Sequence, residues 1–345
     1  MNKISTKLNH TFSIDGRLLG NSEPTYVIAE AGVAHFGSFE KALELVDIAV
    51  EANADAVKFQ IFDVDQLIAK ESSYWKTRLG TKALPYAAFA DIKSYCQEKD
   101  ITFLATAHEE KALDYLTKLD VAAYKIGSGE YLNWPFIEMV LNRGRPVIVS
   151  TGLYNDSDVD ILFAIATNSG NPDFSILHCV TSYPTDPQYV DLNVINKYKS
   201  KYDVVVGYSD HTVGTHISLA AVALGAKIIE KHITLEFNIP DADDWKVSVG
   251  REGLVRFIND IREVEAAFGT GHKKRQIIED SNLKWARKSL VSVNALAAGT
   301  IIEQDMLNTK RPGHGISPDD QAKVIGRRLV NNVEKDVILT WDDIE

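Results

Sequence analysis

Cysteine is scarce in this chain, and long apolar runs and an excess of basic residues are missing. Two cysteines, Cys96 and Cys179, are too few for a disulfide framework, which favours a reducing compartment. No apolar run is long enough to cross a membrane, and the first residues lack the apolar stretch of a signal peptide. The formal net charge of −11 argues against nucleic acid or an anionic membrane surface as the main partner. We therefore expect a cytoplasmic protein.

Strand-like apolar runs alternate with helical periodicity along most of the sequence. The runs lie at 26–32, 56–62, 101–107, 122–128, 146–152, 174–180, 204–210 and 227–233. They are apolar on both faces, as parallel strands buried on both sides are. Repeated β-then-α units of this number and length predict a (β/α)8 TIM barrel. The alternative is a doubly wound open sheet, which usually has fewer strands, and no G-x-G-x-x-G motif follows the first strand here.

The two ends of the chain differ from the repeats. Asp15-Gly16 within FSIDGRLLG predicts a small hairpin ahead of the barrel. After the glycine-rich, basic stretch GTGHKKRQ, short apolar runs separated by turns predict a small, mostly β domain whose core is marginal alone. We predict a catalytic barrel domain over 1–270, a linker over 271–285 and the small β domain over 286–345.

The stretch VVVGYSDHTVGTHISLAAVALGAKIIEKHITL carries one histidine at the end of each of its two strand-like runs. Strand, helix and strand form a βαβ unit, which brings both strand ends to one face, so His211 and His232 should be neighbours. Residues two apart on a strand share a face, which pairs Ser209 with His211 and Glu230 with His232. Such a set suits a divalent metal or acid/base chemistry, although polar residues at strand ends are often simply solvated.

Further polar residues cluster at the predicted carboxyl ends of the strands, where a TIM barrel has its active site. Lys58 and Gln60 share a face, and Lys125 precedes a Gly-Ser-Gly turn that suits a phosphate or carboxylate. Each lysine can instead balance a nearby carboxylate, Glu30 or Glu130. The other residues expected at this face are Thr106, Ser128, Ser150, Thr151, His178, Thr181 and Tyr183.

Arg311 lies in KRPGHG, where a proline and two glycines shape a tight, exposed loop. An exposed arginine is usually solvated. One held on a stiff loop can also serve as a bidentate anion clamp, so both interpretations stay open.

Seven motifs occur in an order that resembles one known family. They are IAEAGVAHFGSFEKALELVDIAVEANADAVKFQ, YKIGSGE, VIVSTG, ILHCVTSYPT, VGYSDHTVG, IIEKHITL and KRPGHG. The chain resembles the sialic acid synthases, also called nonulosonic acid or NeuB-type synthases, and its last segment resembles their antifreeze-like (SAF) domain. The resemblance implies condensation of phosphoenolpyruvate with an N-acylated amino-hexose, giving a nine-carbon 2-keto sugar acid and phosphate.

The resemblance also implies roles for the candidate residues. His211 and His232 would hold Mn²⁺ or Mg²⁺, which would polarise the acceptor aldehyde as a Lewis acid. Arg311 would reach into the barrel of a second subunit, which implies a domain-swapped homodimer. We predict Glu30, Lys58, Lys125 and Glu230 as catalytic residues. The predicted substrate-binding residues are Gln60, Ser128, Glu130, Ser150, Thr181, Tyr183, Ser209, Asp243 and Arg311.

The chain departs from the family pattern on the sugar side. The usual N-H-N-G is replaced by residues 34–37, AHFG, and Thr181 stands where N-acetylneuraminate synthases often carry asparagine. PDADD replaces PGPD, so that Asp241 and Asp244 compete with Asp243 for the substrate contact. The acceptor, N-acetylmannosamine or a diamino-sugar analogue, is left open. Two other functions remain: a 3-deoxy-octulosonate-type aldol synthase, which lacks an SAF domain, and a non-catalytic carbohydrate-binding scaffold.

Overall fold

The computed structural model describes residues 7–240 and 242–345, so Asp241 lies outside the described residues. The described part of the chain divides into two compact units, the first ending at Phe268 and the second spanning Gly269–Glu345. The division falls two residues before the end that we predict for the barrel domain, and the predicted domain ranges stay predictions. Among the described helices, none is long and apolar enough to span a membrane.

The first unit opens with the predicted hairpin, formed by the antiparallel strands β1 (Thr11–Ile14) and β2 (Arg17–Gly20). The strands that follow are β3 (Tyr26–Gly32), β4 (Ala56–Ile61), β5 (Thr102–Ala107), β6 (Tyr124–Ile126), β7 (Val147–Ser150), β8 (Phe174–Cys179), β9 (Val205–Asp210) and β10 (Ile228–His232). Within the residues that the structure describes, these eight parallel strands close into a barrel when β10 pairs with β3. The predicted TIM barrel is therefore confirmed.

Helices connect the strands, and most of them cover the outside of the barrel. They are α1 (Phe39–Glu51), α2 (Val64–Leu67), α3 (Ser73–Gly80), α4 (Tyr86–Glu98), α5 (Glu110–Lys118), α6 (Trp134–Leu141), α7 (Asp156–Ser169), α8 (Asn193–Tyr202), α9 (His216–Ala223) and α10 (Arg251–Ala267). Local sequence sets their ends. Ser38 accepts a hydrogen bond from the backbone N–H of Lys41 at the start of α1, and Asp100 and Asp120 take left-handed backbone angles after α4 and α5.

The amino-terminal end of the barrel is filled with apolar side chains. Phe12, Ile14 and Leu19 of the hairpin pack in one cluster with inward-facing residues near the strand starts, including Tyr26 and Ala56. This packing closes one end of the barrel with a dry core. The polar side chains lie at the other end of the barrel, at the carboxyl ends of the strands.

The second unit is smaller and contains short elements. These are α11 (Asp280–Ala286), β11 (Ser289–Ser292), β12 (Leu307–Lys310) and α12 (Gln321–Val324), with β11 and β12 antiparallel. Isolated bridges such as Val291 to Ile338 and Leu296 to Val333 extend the pairing. Its own buried cluster includes Leu290, a compact core for a small domain. Most of α11 lies in the predicted linker.

Candidate active site

A cavity of about 610 Å³ opens at the carboxyl ends of the barrel strands. The residues of the first unit predicted as catalytic, substrate-binding or metal-ligating line it, with the exception of Glu130. They are Glu30, Lys58, Gln60, Lys125, Ser128, Ser150, Thr181, Tyr183, Ser209, His211, Glu230, His232 and Asp243. Side chains that are far apart in the sequence therefore meet in one polar cavity, as the strand-end pattern predicts.

Two lysines and two glutamates form the floor of this cavity, and each is at most 4% exposed. The Nζ atom of Lys58 lies 2.6 Å from Oε2 of Glu30 and 3.5 Å from Oε2 of Glu230. The Nζ atom of Lys125 lies 3.5 Å from Oε1 of Glu230 and donates a hydrogen bond of 2.7 Å to Ser150. Lys58 thus pairs with Glu30, in agreement with the alternative that this lysine balances a nearby carboxylate. The carboxylate nearest to Lys125 is that of Glu230 and not that of Glu130.

The surroundings stabilise the charged form of some floor side chains more than that of others, as their pKa values indicate. Burial alone would raise the pKa of Glu230, but Lys125 and Lys58 lower it to about 2, so this group is a carboxylate at neutral pH. Burial would lower the pKa of Lys58, yet Glu230 and Glu30 raise it. Burial lowers the pKa of Lys125. The like charge of Lys58 also lowers it, and the opposite charge of Glu230 raises it too little to compensate. Lys125 is therefore the cation that an anionic ligand would stabilise most.

The two imidazoles lie side by side at the edge of the floor, as expected from the βαβ pattern. The ring centroids of His211 and His232 are 5.4 Å apart. The Nδ1 atom of His211 is 2.8 Å from the Val180 carbonyl oxygen and donates to it. In the neutral ring the Nε2 atom carries a lone pair, which faces the Tyr183 hydroxyl at 3.0 Å. Burial alone would lower the pKa of His211, but the neighbouring Cys179 raises it. Burial lowers the pKa of His232, which favours the neutral ring that metal ligation requires.

Hydroxyl groups form the wall next to Lys125. The backbone N–H of Gly152 donates a hydrogen bond of 3.0 Å to Ser128. A Cβ atom at Gly152 would overlap the side-chain oxygens of Ser128 and Thr181, so these groups approach the backbone only because residue 152 is glycine. The hydroxyl of Ser209 donates a hydrogen bond of 2.8 Å to Glu230 on the opposite side. The cavity thus offers hydroxyls beside buried cations, a combination that suits phosphate and carboxylate groups.

Two family models match the chain, the NeuB family over residues 45–273 and the SAF domain over residues 287–345. This chain belongs to the NeuB family. It is 37% identical to an uncharacterized protein of Methanocaldococcus jannaschii, over 96% of this chain and 98% of that protein. It is 34% identical to N,N'-diacetyllegionaminic acid synthase of Campylobacter jejuni, over 91% of this chain and 98% of that enzyme.

A solved structure of a related protein has the same fold. The chain is 31% identical to the N-acetylneuraminic acid (sialic acid) synthetase of Leptospira borgpetersenii, with a TM-score of 0.74. The match covers 80% of this chain and 96% of the Leptospira chain. The relatives support the resemblance to sialic acid synthases and the SAF assignment of the last segment.

Three residues expected at the site, Thr151, His178 and Glu130, do not line the cavity. Thr151 donates a hydrogen bond of 3.0 Å to the Leu177 carbonyl oxygen. His178 points away from the cavity, packs against Tyr198 and has its Nε2 atom 2.5 Å from the Val190 carbonyl oxygen. The next residue, Cys179, lines the cavity instead, with its Sγ atom 3.7 Å from Nδ1 of His211. Alternation along β8 gives this outcome, because Leu177 already packs inside the barrel.

Glu130 lies behind the cavity wall. Its carboxylate accepts a hydrogen bond of 2.7 Å from Asn133 and lies 3.8 Å from Nδ1 of His108, which lines the cavity in its place. A direct contact of Glu130 with the sugar is therefore not supported. Arg311 belongs to the second unit, where it is exposed and its guanidinium carbon lies 4.8 Å from the centroid of the Trp285 ring.

Helix α3 supplies an outer wall that the sequence pattern does not reveal. Trp75, Arg78 and Leu79 of this helix line the cavity, together with Lys82, which follows its end. Arg78 donates a hydrogen bond of 3.0 Å to Asp243, so the wall is joined to the loop after β10.

The loop after β10 presents two described aspartates to the cavity, and they differ in their partners. Asp243 is engaged by Arg78 and by Lys246, whose Nζ atom lies 2.7 Å from it. The carboxylate of Asp244 makes no side-chain hydrogen bond or ion pair within residues 7–240 and 242–345. Its negative charge is close enough to raise the pKa of Tyr183 and to oppose the lowering of the pKa of His232 by burial. Of these two aspartates, Asp243 is therefore the one held by cationic side chains.

Proposed function

We propose that this chain is a nonulosonic acid synthase, which condenses phosphoenolpyruvate with an N-acylated amino-hexose to a nine-carbon 2-keto sugar acid and phosphate. The observation that carries the proposal is the buried floor of Glu30, Lys58, Lys125 and Glu230 beside two imidazoles. This arrangement stands at the mouth of a NeuB-family barrel. Relatives named as synthases of N,N'-diacetyllegionaminic and N-acetylneuraminic acid support the substrate class.

The lysine side of the floor is the proposed site for phosphoenolpyruvate. Lys125 and Lys58 supply positive charge, and the hydroxyls of Ser128, Ser150 and Ser209 surround them in the same cavity. The phosphate and carboxylate of the substrate would replace water around Lys125, whose charge is the least compensated. Binding there would place the enol carbon toward the histidines, on the side where the acceptor enters.

His211 and His232 are the proposed ligands of a divalent ion, Mn²⁺ or Mg²⁺. Among the described residues, no group of three or more histidine, cysteine, aspartate or glutamate side chains is arranged to hold a metal. Two imidazoles whose ring centroids are 5.4 Å apart nevertheless suit an open site, whose remaining positions water and substrate oxygens would fill. When bound there, the ion would polarise the acceptor aldehyde.

The carboxylates on the floor are the proposed groups for orientation and proton handling. In the condensation, the C3 atom of phosphoenolpyruvate bonds to the aldehyde carbon, and water adds to C2 before phosphate leaves from that carbon. The Oε2 atoms of Glu30 and Glu230 lie 2.6 Å and 3.5 Å from Nζ of Lys58, so both buried oxygens face that cation. A carboxylate oxygen has more than one acceptor direction, so each can also accept a hydrogen bond from the attacking water or from a substrate hydroxyl.

The acceptor is proposed to contact Asp244. We expect Asp244→Asn to lower kcat/KM for the amino sugar about 10- to 100-fold, because a hydrogen bond to a charged group is lost. The matched variant Asp243→Asn should change it far less, because that carboxylate is already engaged by Arg78 and Lys246. Steady-state kinetics with varied acceptor compare the two. A larger effect from Asp243→Asn would reverse the assignment.

We further propose a domain-swapped homodimer in which Arg311 serves the site of the partner. The exposed position of Arg311 and its contact with the Trp285 ring suit a clamp presented to another subunit. Mixing Arg311→Ala with His232→Ala subunits, each nearly inactive alone, should restore roughly a quarter of wild-type activity, because half of randomly mixed dimers carry one intact site. Phosphate release after mixing measures this, and an inactive mixture would contradict the swap.

Phosphate release from phosphoenolpyruvate tests the function itself. Purified protein with Mn²⁺ or Mg²⁺ should release phosphate only when an N-acyl hexosamine is added, and mass spectrometry should find the nine-carbon product. N-acetylmannosamine and a 2,4-diacetamido sugar are the first acceptors to compare. Turnover with a phosphorylated pentose instead would favour the 3-deoxy-octulosonate alternative. No turnover with any acceptor would favour the non-catalytic alternative.

A further inference from the structure

Strands β9 and β10 carry a buried ion pair directly behind the two imidazoles. His211 and His232 line the cavity, whereas the preceding residues, Asp210 and Lys231, point to the other side of the sheet and are 0% exposed. Nζ of Lys231 lies 3.1 Å from Oδ2 of Asp210. The strand register pairs these two residues directly. The ion pair therefore joins the two strands one residue before each histidine.

The pair also fixes the backbone on both sides of His211. Oδ1 of Asp210 accepts hydrogen bonds of 2.8 Å from the backbone N–H and from the hydroxyl of Thr212. Its Oδ2 accepts a bond of 2.6 Å from Ser218 on α9. Lys231 donates a second bond of 2.7 Å to the Thr212 carbonyl oxygen. The residue after His211 is thus bound to both members of the pair, which fixes the backbone that carries the His211 ring.

Stability alone does not account for charges at these two positions. The preceding outward-facing residues of the same strands, Val206, Tyr208 and Ile229, belong to the apolar core between barrel and helices. Replacing a buried ion pair with well-packed apolar residues is often neutral or stabilising. The two charges lie at the carboxyl ends of β9 and β10, directly before the histidines. The backbone geometry that they fix is therefore the geometry from which the two imidazoles project.

We propose that Asp210 and Lys231 are positioning residues that set the separation and orientation of the His211 and His232 rings, and that they control divalent-cation binding through them. The inference rests on the metal site of the proposed function. It assigns a role to two residues that touch neither substrate nor ion. Partners behind a ligand typically change metal affinity when they are removed.

Titration of the metal-free full-length chain with Mn²⁺, followed by electron paramagnetic resonance of the free ion, tests the proposal. Asp210→Asn keeps the shape of the side chain and removes its charge, and Lys231→Met keeps most of the chain length. Each should weaken Mn²⁺ binding about 10- to 100-fold. The affinity of the metal-free protein for phosphoenolpyruvate, measured by calorimetry, should stay within about twofold, since a general loss of structure would lower both affinities.

Asp55→Asn is the matched control. Asp55 is also buried in the barrel unit, lies 2.5 Å from Arg17 and accepts a hydrogen bond of 2.7 Å from the backbone of Val27 near the strand starts. This variant should lose stability yet keep wild-type Mn²⁺ affinity. Wherever one single variant fails to fold, the double variant Asp210→Asn/Lys231→Met, which leaves no unpaired charge, takes its place.

The outcomes separate this inference from the proposed function. Folded Asp210→Asn or double-variant protein that binds Mn²⁺ as tightly as wild type would overturn the positioning role and leave the synthase proposal standing. An equal loss of affinity in Asp55→Asn would overturn it as well. A wild-type protein that binds no Mn²⁺ while His232→Ala retains full turnover would overturn the metal site and the positioning role with it, and would leave the synthase activity standing.

Discussion

Replacing His232 with alanine is expected to lower kcat/KM by about 10³-fold or more and to remove its dependence on added divalent ion. A bound cation supplies several kcal/mol of stabilisation to the transition state, and each 1.36 kcal/mol corresponds to a factor of ten in rate. One imidazole alone would hold the ion weakly, because the described residues provide no set of three ligands that replaces it. Phosphate release at saturating Mn²⁺ and at saturating Mg²⁺ measures the effect.

His178→Ala is the matched control for this experiment. His178 is also a buried histidine of a barrel strand, but its ring faces Tyr198 and the Val190 carbonyl oxygen outside the cavity. Its removal should reduce stability without changing the dependence of turnover on the ion. Wild-type kinetics in His232→Ala, or an equal loss in both variants, would contradict the assignment of the metal site.

The barrel and the contents of its floor follow from periodicity in the sequence. Parallel strands buried on both faces give apolar runs, and the rule that strand ends meet at one face correctly places Lys58, Lys125 and Glu230 together. The neighbouring histidines follow from the same rule applied to one βαβ unit. These predictions succeed because they depend on local spacing and on a closed topology. In a closed parallel barrel the carboxyl ends of all the strands lie at the same end.

Other parts of the site depend on geometry that spacing does not encode. Glu130 and His178 are predicted at the mouth, yet the first lies behind the wall and the second faces outward. One step of strand register exchanges His178 for Cys179. Arg78 lies on a helix in the long segment between β4 and β5. Asp243 and Asp244 are adjacent at the start of a 3₁₀ turn, so their side chains point in different directions. Long loops and turns of this kind have no periodicity from which a direction can be predicted.

Glu230→Gln is expected to destabilise the protein by about 3–5 kcal/mol, because it removes the carboxylate that lies near both buried lysines. The midpoint of thermal unfolding should fall by about 10 °C. Adding Lys125→Met should recover much of the loss, because the double variant leaves only Lys58 paired with Glu30. Scanning calorimetry of the two variants and the wild type measures the coupling. Equal stability of Glu230→Gln and the wild type would contradict a structural role for this charge.

The pH dependence of the same variant gives an independent test of the charge on Glu230. The pKa of this carboxyl is about 2 in the folded protein, compared with an ordinary value of 4.5. A lowered pKa contributes stability that is fully present above pH 4.5 and is lost as the pH falls toward 2. The stability difference between wild type and Glu230→Gln should therefore be constant near neutral pH and shrink below about pH 4.5. Glu236→Gln, which changes an exposed glutamate paired with Lys41, should show little difference at any pH. A difference between wild type and Glu230→Gln that persists unchanged to pH 3 would mean that Glu230 is not held as an anion by the lysines.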